Sequence, residues 1–352
     1  MDSKVQWFSR GQQVSSQSSS RMTQTTTNQF KPLQRPETDS GQLRTIGFEI
    51  EFSGLSVQQT LEVLQSHLKG QVDHISLAER SIQHEQLGTF HIELDWSYLK
   101  RIAREQPTSG TAEHIWLEEL HALAERMVPM EIVCPPMTLQ QCECLFPIIE
   151  ALREAGAKGT DESWIAAYGV HINPQVASED STDVLRYLQA FSLLQWWLFK
   201  ALKVDTTRKM SPYIDKYPEA YIRHLCQQSE VSEGQLIDDY LKFNASRNRA
   251  LDMLPLFAYW RPEVVSKAVG DAKVGARPTF HFRLPNCHIE RAGWQLDTAW
   301  RSWWVVEQLA NDTAALTYWK DAFLAADRPL LGVDESAWID RVASWLNDRA
   351  WW

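Results

Sequence analysis

The sequence predicts an α+β fold: an antiparallel sheet with one polar, metal-binding face and helices packed on the other. Three observations predict it. Five short segments alternate apolar residues with residues that bind metals or anions, the stretches between several of them carry apolar residues at helical spacing, and nearly everything after residue 182 reads as helix. Period two means strand, because successive Cβ atoms point to opposite faces of a sheet; a spacing of three and four marks a helix with one buried stripe.

Taken in order, residues 1–42 are rich in Ser, Gln and Thr, with few large apolar side chains. Such a stretch buries too little surface to offset its ordering entropy, so a disordered tail is expected. In the first strand Phe48, Ile50 and Phe52 alternate with Glu49 and Glu51. Ser56 then caps a helix whose stripe is Val57, Leu61, Leu64 and Leu68, and Gly70 ends it. A hairpin turns near Gly88 into a strand in which Phe90, Ile92 and Leu94 alternate with His91, Glu93 and Asp95. A helix is expected over 111–127. Glu131 lies on the next strand, which Pro135 and Pro136 must stop. Thr138 and Gln141 have capping-box spacing ahead of a helix through Leu145, Ile148, Ile149 and Leu152 to Gly156, with a bend at Pro147. His171 marks the fourth strand. Helices follow over 184–202, 218–227, 233–243 and 250–260, then a strand pairing His281 and Arg283 against Phe280, Phe282 and Leu284, then helices over 297–311, 313–325 and 334–347. This gives a body over 43–291 with a helical insertion at about 182–262, and Trp-rich C-terminal helices over 292–352 packed on the same domain.

If the strands share one sheet, its polar face gathers Glu49, Glu51, Glu93, Asp95, Glu131, His171, His281 and Arg283. An isolated Glu-x-Glu strand is usually only a solvated face, which mixes Thr, Lys, Ser and Gln. Here the polar positions are mostly Glu, Asp, His and Arg. Carboxylates at i and i+2 stand roughly 7 Å apart, a separation that suits neighbouring divalent cations, and hard oxygens with one or two imidazoles suit Mg²⁺ or Mn²⁺. Glu49, Glu51, Glu93, Glu131, His171 and His281 are therefore the candidate metal ligands. There is no GxxxxGK[ST] loop, no GxGxxG after a strand and no GxSxG elbow, so a bound nucleotide would rely on metals and arginines. Arg283 is the best placed, with Arg208, Lys209, Arg247 and Arg249 available from the insertion. Trp196, Trp197, Tyr213, Tyr217 and Tyr221 could wall a substrate site, although aromatic stripes at helical spacing are more often core.

A formal net charge of -10 argues against a general nucleic-acid binder. Five cysteines without a CxxC pair form neither a disulfide framework nor a zinc knuckle; with no apolar run near the roughly 20 residues that span a bilayer, a cytoplasmic protein is expected.

The order of motifs resembles the amidoligase family of the glutamine synthetase and glutamate-cysteine ligase superfamily. The segments that carry the resemblance are GFEIEF at Gly47, LDWSYL at Leu94, MEIVCPP at Met130, LREAGA at Leu152, YGVHI at Tyr168 and TFHFRL at Thr279, and they span about 44–291. The resemblance implies a glutamine-synthetase-like catalytic domain in which Glu49, Glu51, Glu131 and His171 bind the metals that clamp ATP and Arg283 holds phosphate. His281 stands where the family pattern has glutamate. The implied activity is an ATP-dependent carboxylate-amine ligase working through an acyl phosphate on Mg²⁺ or Mn²⁺, with Asp95 orienting or deprotonating the amine. Its substrates would be a carboxylate and an amine from an amino acid, a peptide or a protein side chain. A phosphotransferase of guanidino-kinase type and a non-catalytic binding protein are the alternatives.

Overall fold

The computed structural model describes residues 29–76, 78–94, 129–161, 168–204, 214–270 and 274–352. Strand β1 (Thr45–Phe52) is the axis of a nine-stranded sheet, and its residues from Phe48 to Phe52 alternate as the sequence predicts. On one side of it lie β5 (Met130–Val133), β4 (Gly88–Leu94), β3 (Glu79–His84) and β2 (Gln71–Ser76). On the other lie β7 (Val170–Pro174), β9 (His281–Phe282) and β8 (Leu251–Asp252), while the short β6 (Met137–Thr138) pairs with the beginning of β1. All the pairings are antiparallel.

Helices cover the apolar face. Helix α1 (Val57–Leu68) begins with the Ser56–Gln59 capping box, lays Leu61 and Leu64 into the core, and packs on β3, β4 and α2 (Leu145–Glu154). Its end needs glycine one residue later. Lys69 takes a left-handed conformation, and a Cβ on Gly70 would stand 2.6 Å from the carbonyl of Gln83. The second capping box also forms, with Thr138 and Gln141 bonded reciprocally ahead of a 3₁₀ turn at Gln141–Cys144. Pro147 then falls in the first turn of α2, where no intrahelical N–H is lost.

Behind β7 and β9 stands the 21-residue helix α3 (Ser181–Ala201), packed against α4 (Glu219–Cys226), α5 (Glu233–Asn244), α8 (Leu296–Asn311), α9 (Thr313–Ala326) and α10 (Glu335–Asp348). Phe280 and Phe282 enter this layer against Tyr187, Phe191 and Trp303. Trp196, Trp197, Tyr217 and Tyr221 are buried in it, so these aromatics are core and not a substrate wall; Tyr213 lies outside the described residues.

Two expectations change. The helix expected over 250–260 begins only at Leu254, as α6 (Leu254–Trp260); a short strand, β8, precedes it and α7 (Pro262–Val269) follows. Apolar spacing runs on through Leu251, Leu254 and Phe257, and a two-residue strand is too short to show alternation. The tail expected through residue 42 ends sooner, because Phe30 is buried against Phe48, Phe146 and Trp300. Trp300 and Trp304 donate their indole N–H groups to the carbonyls of Lys31 and Pro32, at 2.8 and 2.9 Å. The helix expected over 111–127 lies outside the described residues.

Candidate functional site

The register of the sheet decides which side chains meet. Glu93, Glu131 and Glu51 stand side by side across β4, β5 and β1. One step along β1, Glu49 is opposite His171 of β7, and one step further Gly47 is opposite Asn173. His281 of β9 is opposite Asp252 of β8. All these positions lie on the face away from the helices, as alternation with Phe48, Ile50, Ile132, Ile172 and Phe282 requires.

Glu49 is the hub. Its carboxylate accepts from His171 Nδ1 and from Asn173 Nδ2, each at 2.9 Å, and it lies 3.4 Å from Arg277 Nη2 and 3.6 Å from His281 Nε2. Burial alone would raise its pKa, but the imidazoles of His171 and His281 outweigh burial and hold the carboxyl well below its ordinary value, as an anion. Arg277 also donates to Asn173 Oδ1 at 2.7 Å, which fixes the amide with its nitrogen toward Glu49.

An ionised carboxylate can only accept, so the Nδ1 of His171 carries a proton and, in the neutral ring, Nε2 presents its lone pair. That nitrogen faces Glu51 Oε1 at 3.6 Å. Glu51 in turn accepts from the backbone N–H of Gly169 at 2.7 Å. A Cβ on Gly169 would press to 3.2 Å from His171 Nε2 and 3.3 Å from Glu51 Oε2, so the missing side chain leaves room for this approach. Two donor sets result, Glu49–His171–His281 and Glu51–Glu131–His171, each with its ligand atoms within 4.8 Å of one another. They share His171, whose ring stands edge-on to that of His281 at 5.3 Å.

Five of the residues expected to bind metal thus converge. Glu93 extends the carboxylate row beside Glu131 without joining either set. Arg283 follows β9, and its guanidinium donates to the carbonyl of Arg247. Arg249 turns away, donating to the carbonyls of Lys216 and Phe243 at 2.6 and 3.2 Å. Asp95 and Arg208 lie outside the described residues. Sequence reasoning missed Asn173, Arg277 and Asp252 as parts of the site. Asn173 continues the alternation of His171 and could have been included. Arg277 belongs to no regular element, and Asp252 was hidden in an apparent helix.

Beside Glu49 opens a cavity of about 370 Å³ lined in part by Thr45, Gly47, Asn173, Arg277 and Thr279. Residues 42–305 match the Amidoligase_2 family model, described as "putative amidoligase enzyme". The chain belongs to the amidoligase family. No curated protein and no solved structure matches it. In this amidoligase the match takes in the whole described sheet and ends within α8, leaving α9 and α10 beyond it. Membership carries a ligase-type enzyme that joins a carboxylate to an amine. Among the described residues no helix is long and apolar enough to cross a membrane.

Proposed function

We propose that this amidoligase is an ATP-dependent carboxylate-amine ligase on a glutamine-synthetase-like sheet, with divalent metal held by Glu49, Glu51, Glu131, His171 and His281. One observation carries the reading: carboxylate oxygens and imidazole nitrogens converge in two sets on one sheet face, and the lone pair of His171 Nε2 meets the carboxylate oxygen of Glu51 at 3.6 Å unless a cation lies between. The donors fit the group. Mixed oxygen and nitrogen ligands suit Mn²⁺ and other first-row ions, and the buried His281 has neither ring nitrogen hydrogen-bonded.

When bound, the metal would neutralise the phosphates of ATP and the charge that develops as phosphate is transferred. The chain's own residues do the rest of this reading. Glu49 stays anionic against its burial through its contacts with His171 and His281. Arg277, on the wall of the adjoining cavity, offers a cation to the incoming carboxylate. Arg283 would hold phosphate oxygens, and Asp95 would take a proton from the attacking amine. Phosphate leaves the acyl phosphate as the carbon–nitrogen bond forms.

Calorimetric titration of ATP with and without Mn²⁺ tests this. Binding should require the ion, and replacing both Glu51 and Glu131 by alanine should abolish it. Undiminished metal-dependent binding by that double variant would refute the site. Product analysis separates ligase from kinase: the ligase releases phosphate in step with amide, whereas a kinase leaves a phosphorylated acceptor.

A further inference from the structure

Asp252 is fully buried, and it is used on one side only. Its Oδ1 accepts from the N–H of Leu254 at 3.0 Å, while Oδ2 makes no hydrogen bond and lies 3.6 Å from His281 Nδ1. His281 is 5% exposed and points its other nitrogen, Nε2, at Glu49 Oε2, again at 3.6 Å. The imidazole is therefore strung between a buried carboxylate and the donor set that includes Glu49 and His171. Both gaps are slightly too long for hydrogen bonds and close with a small rotation of the side chains.

We propose that Asp252 is a positioning residue that, when a divalent transition ion binds between Glu49, His171 and His281, holds the proton of His281 on Nδ1 and leaves Nε2 to face that ion. The inference rests on the metal reading above. A carboxylate behind a ligating imidazole fixes both its tautomer and its orientation and raises its basicity. A neutral imidazole is a good ligand for Mn²⁺, Co²⁺ or Zn²⁺ and a poor one for Mg²⁺. The substitution that reads as a loss of family character, histidine for glutamate, thus comes with a buried partner that equips it to bind metal.

Asp252→Asn is the discriminating variant. The N–H of Leu254 keeps the amide oxygen on its side, so the amide nitrogen faces His281 as a donor where the carboxylate was an acceptor. The ring should then hold its proton on Nε2, pointing into the site. Co²⁺ affinity, followed by the visible absorption of the bound ion, should fall about 10- to 100-fold. In the full chain with ¹⁵N-labelled histidine and Zn²⁺ bound, the wild-type His281 should show a proton on Nδ1 and none on Nε2. A proton on Nε2 in the wild-type Zn²⁺ form overturns the proposal, and this measurement does not depend on how well the variant folds. Equal Co²⁺ affinity and spectra in wild type and variant would overturn it while leaving the metal site standing. Wild-type protein that takes up neither ion would remove the metal reading and the proposal together.

Discussion

Glu49 is the residue on which the site turns, and its ionisation sets a pH dependence that can be measured without substrate. Its folded pKa lies well below the ordinary carboxylate value of 4.5, so the stability it contributes is complete above that value and is lost as pH falls through the lower, folded one. The metal-free protein should lose melting temperature on acidification below about pH 4.5, and Glu49→Gln should flatten that limb; an unchanged acid limb in the variant would show that another carboxylate governs it. The residues of the site were legible to very different degrees. Glu49, Glu51, Glu131, His171 and His281 could be read because each sits on a strand whose alternation places it. Arg277 precedes Pro278 in an irregular segment, where no periodicity indicates which way a side chain points. Arg249, attractive as a cation near the site, turned to backbone carbonyls, which composition cannot reveal.

At the scale of elements, the helices were read to within about a residue where apolar residues recur at helical spacing, as in α1, α8, α9 and α10. Strands β8 and β9 have two residues each, and β8 was taken for helix because its Leu251 continues an apolar spacing that belongs to α6. The segment before β1 was misjudged for a related reason. A single aromatic among polar residues looks like a tail, yet Phe30 fills a space between the sheet and α8 that only the tertiary fold creates. Phe30→Ala should destabilise the protein by about 3–5 kcal/mol in urea unfolding, the usual cost of emptying a buried aromatic site. A change below about 1 kcal/mol would mean the site collapses or the segment detaches readily.

Across the whole molecule, one buried ion pair ties the C-terminal helices to the sheet that carries the site. Arg44, just ahead of β1, forms a bidentate pair with Glu307 of α8 at 2.6 and 3.2 Å, and both side chains are almost fully enclosed. Tyr187 and Trp303 donate to the same carboxylate, and Arg44 donates to the carbonyls of Gln175 and Arg35, so the pair is well satisfied. Glu307→Leu should cost about 3–5 kcal/mol by stranding a guanidinium, and adding Arg44→Met should recover much of the loss. Chemical denaturation of the two single variants and the double variant checks both; strictly additive losses would deny the coupling. The family resemblance runs out at residue 305, two positions before the carboxylate that Arg44 requires. A boundary drawn from kinship is therefore not a boundary for folding. A fragment trimmed to the shared region would carry every ligand of the candidate centre and still lack the counter-ion that seats its central strand, so ancestry and autonomy part company inside a single helix.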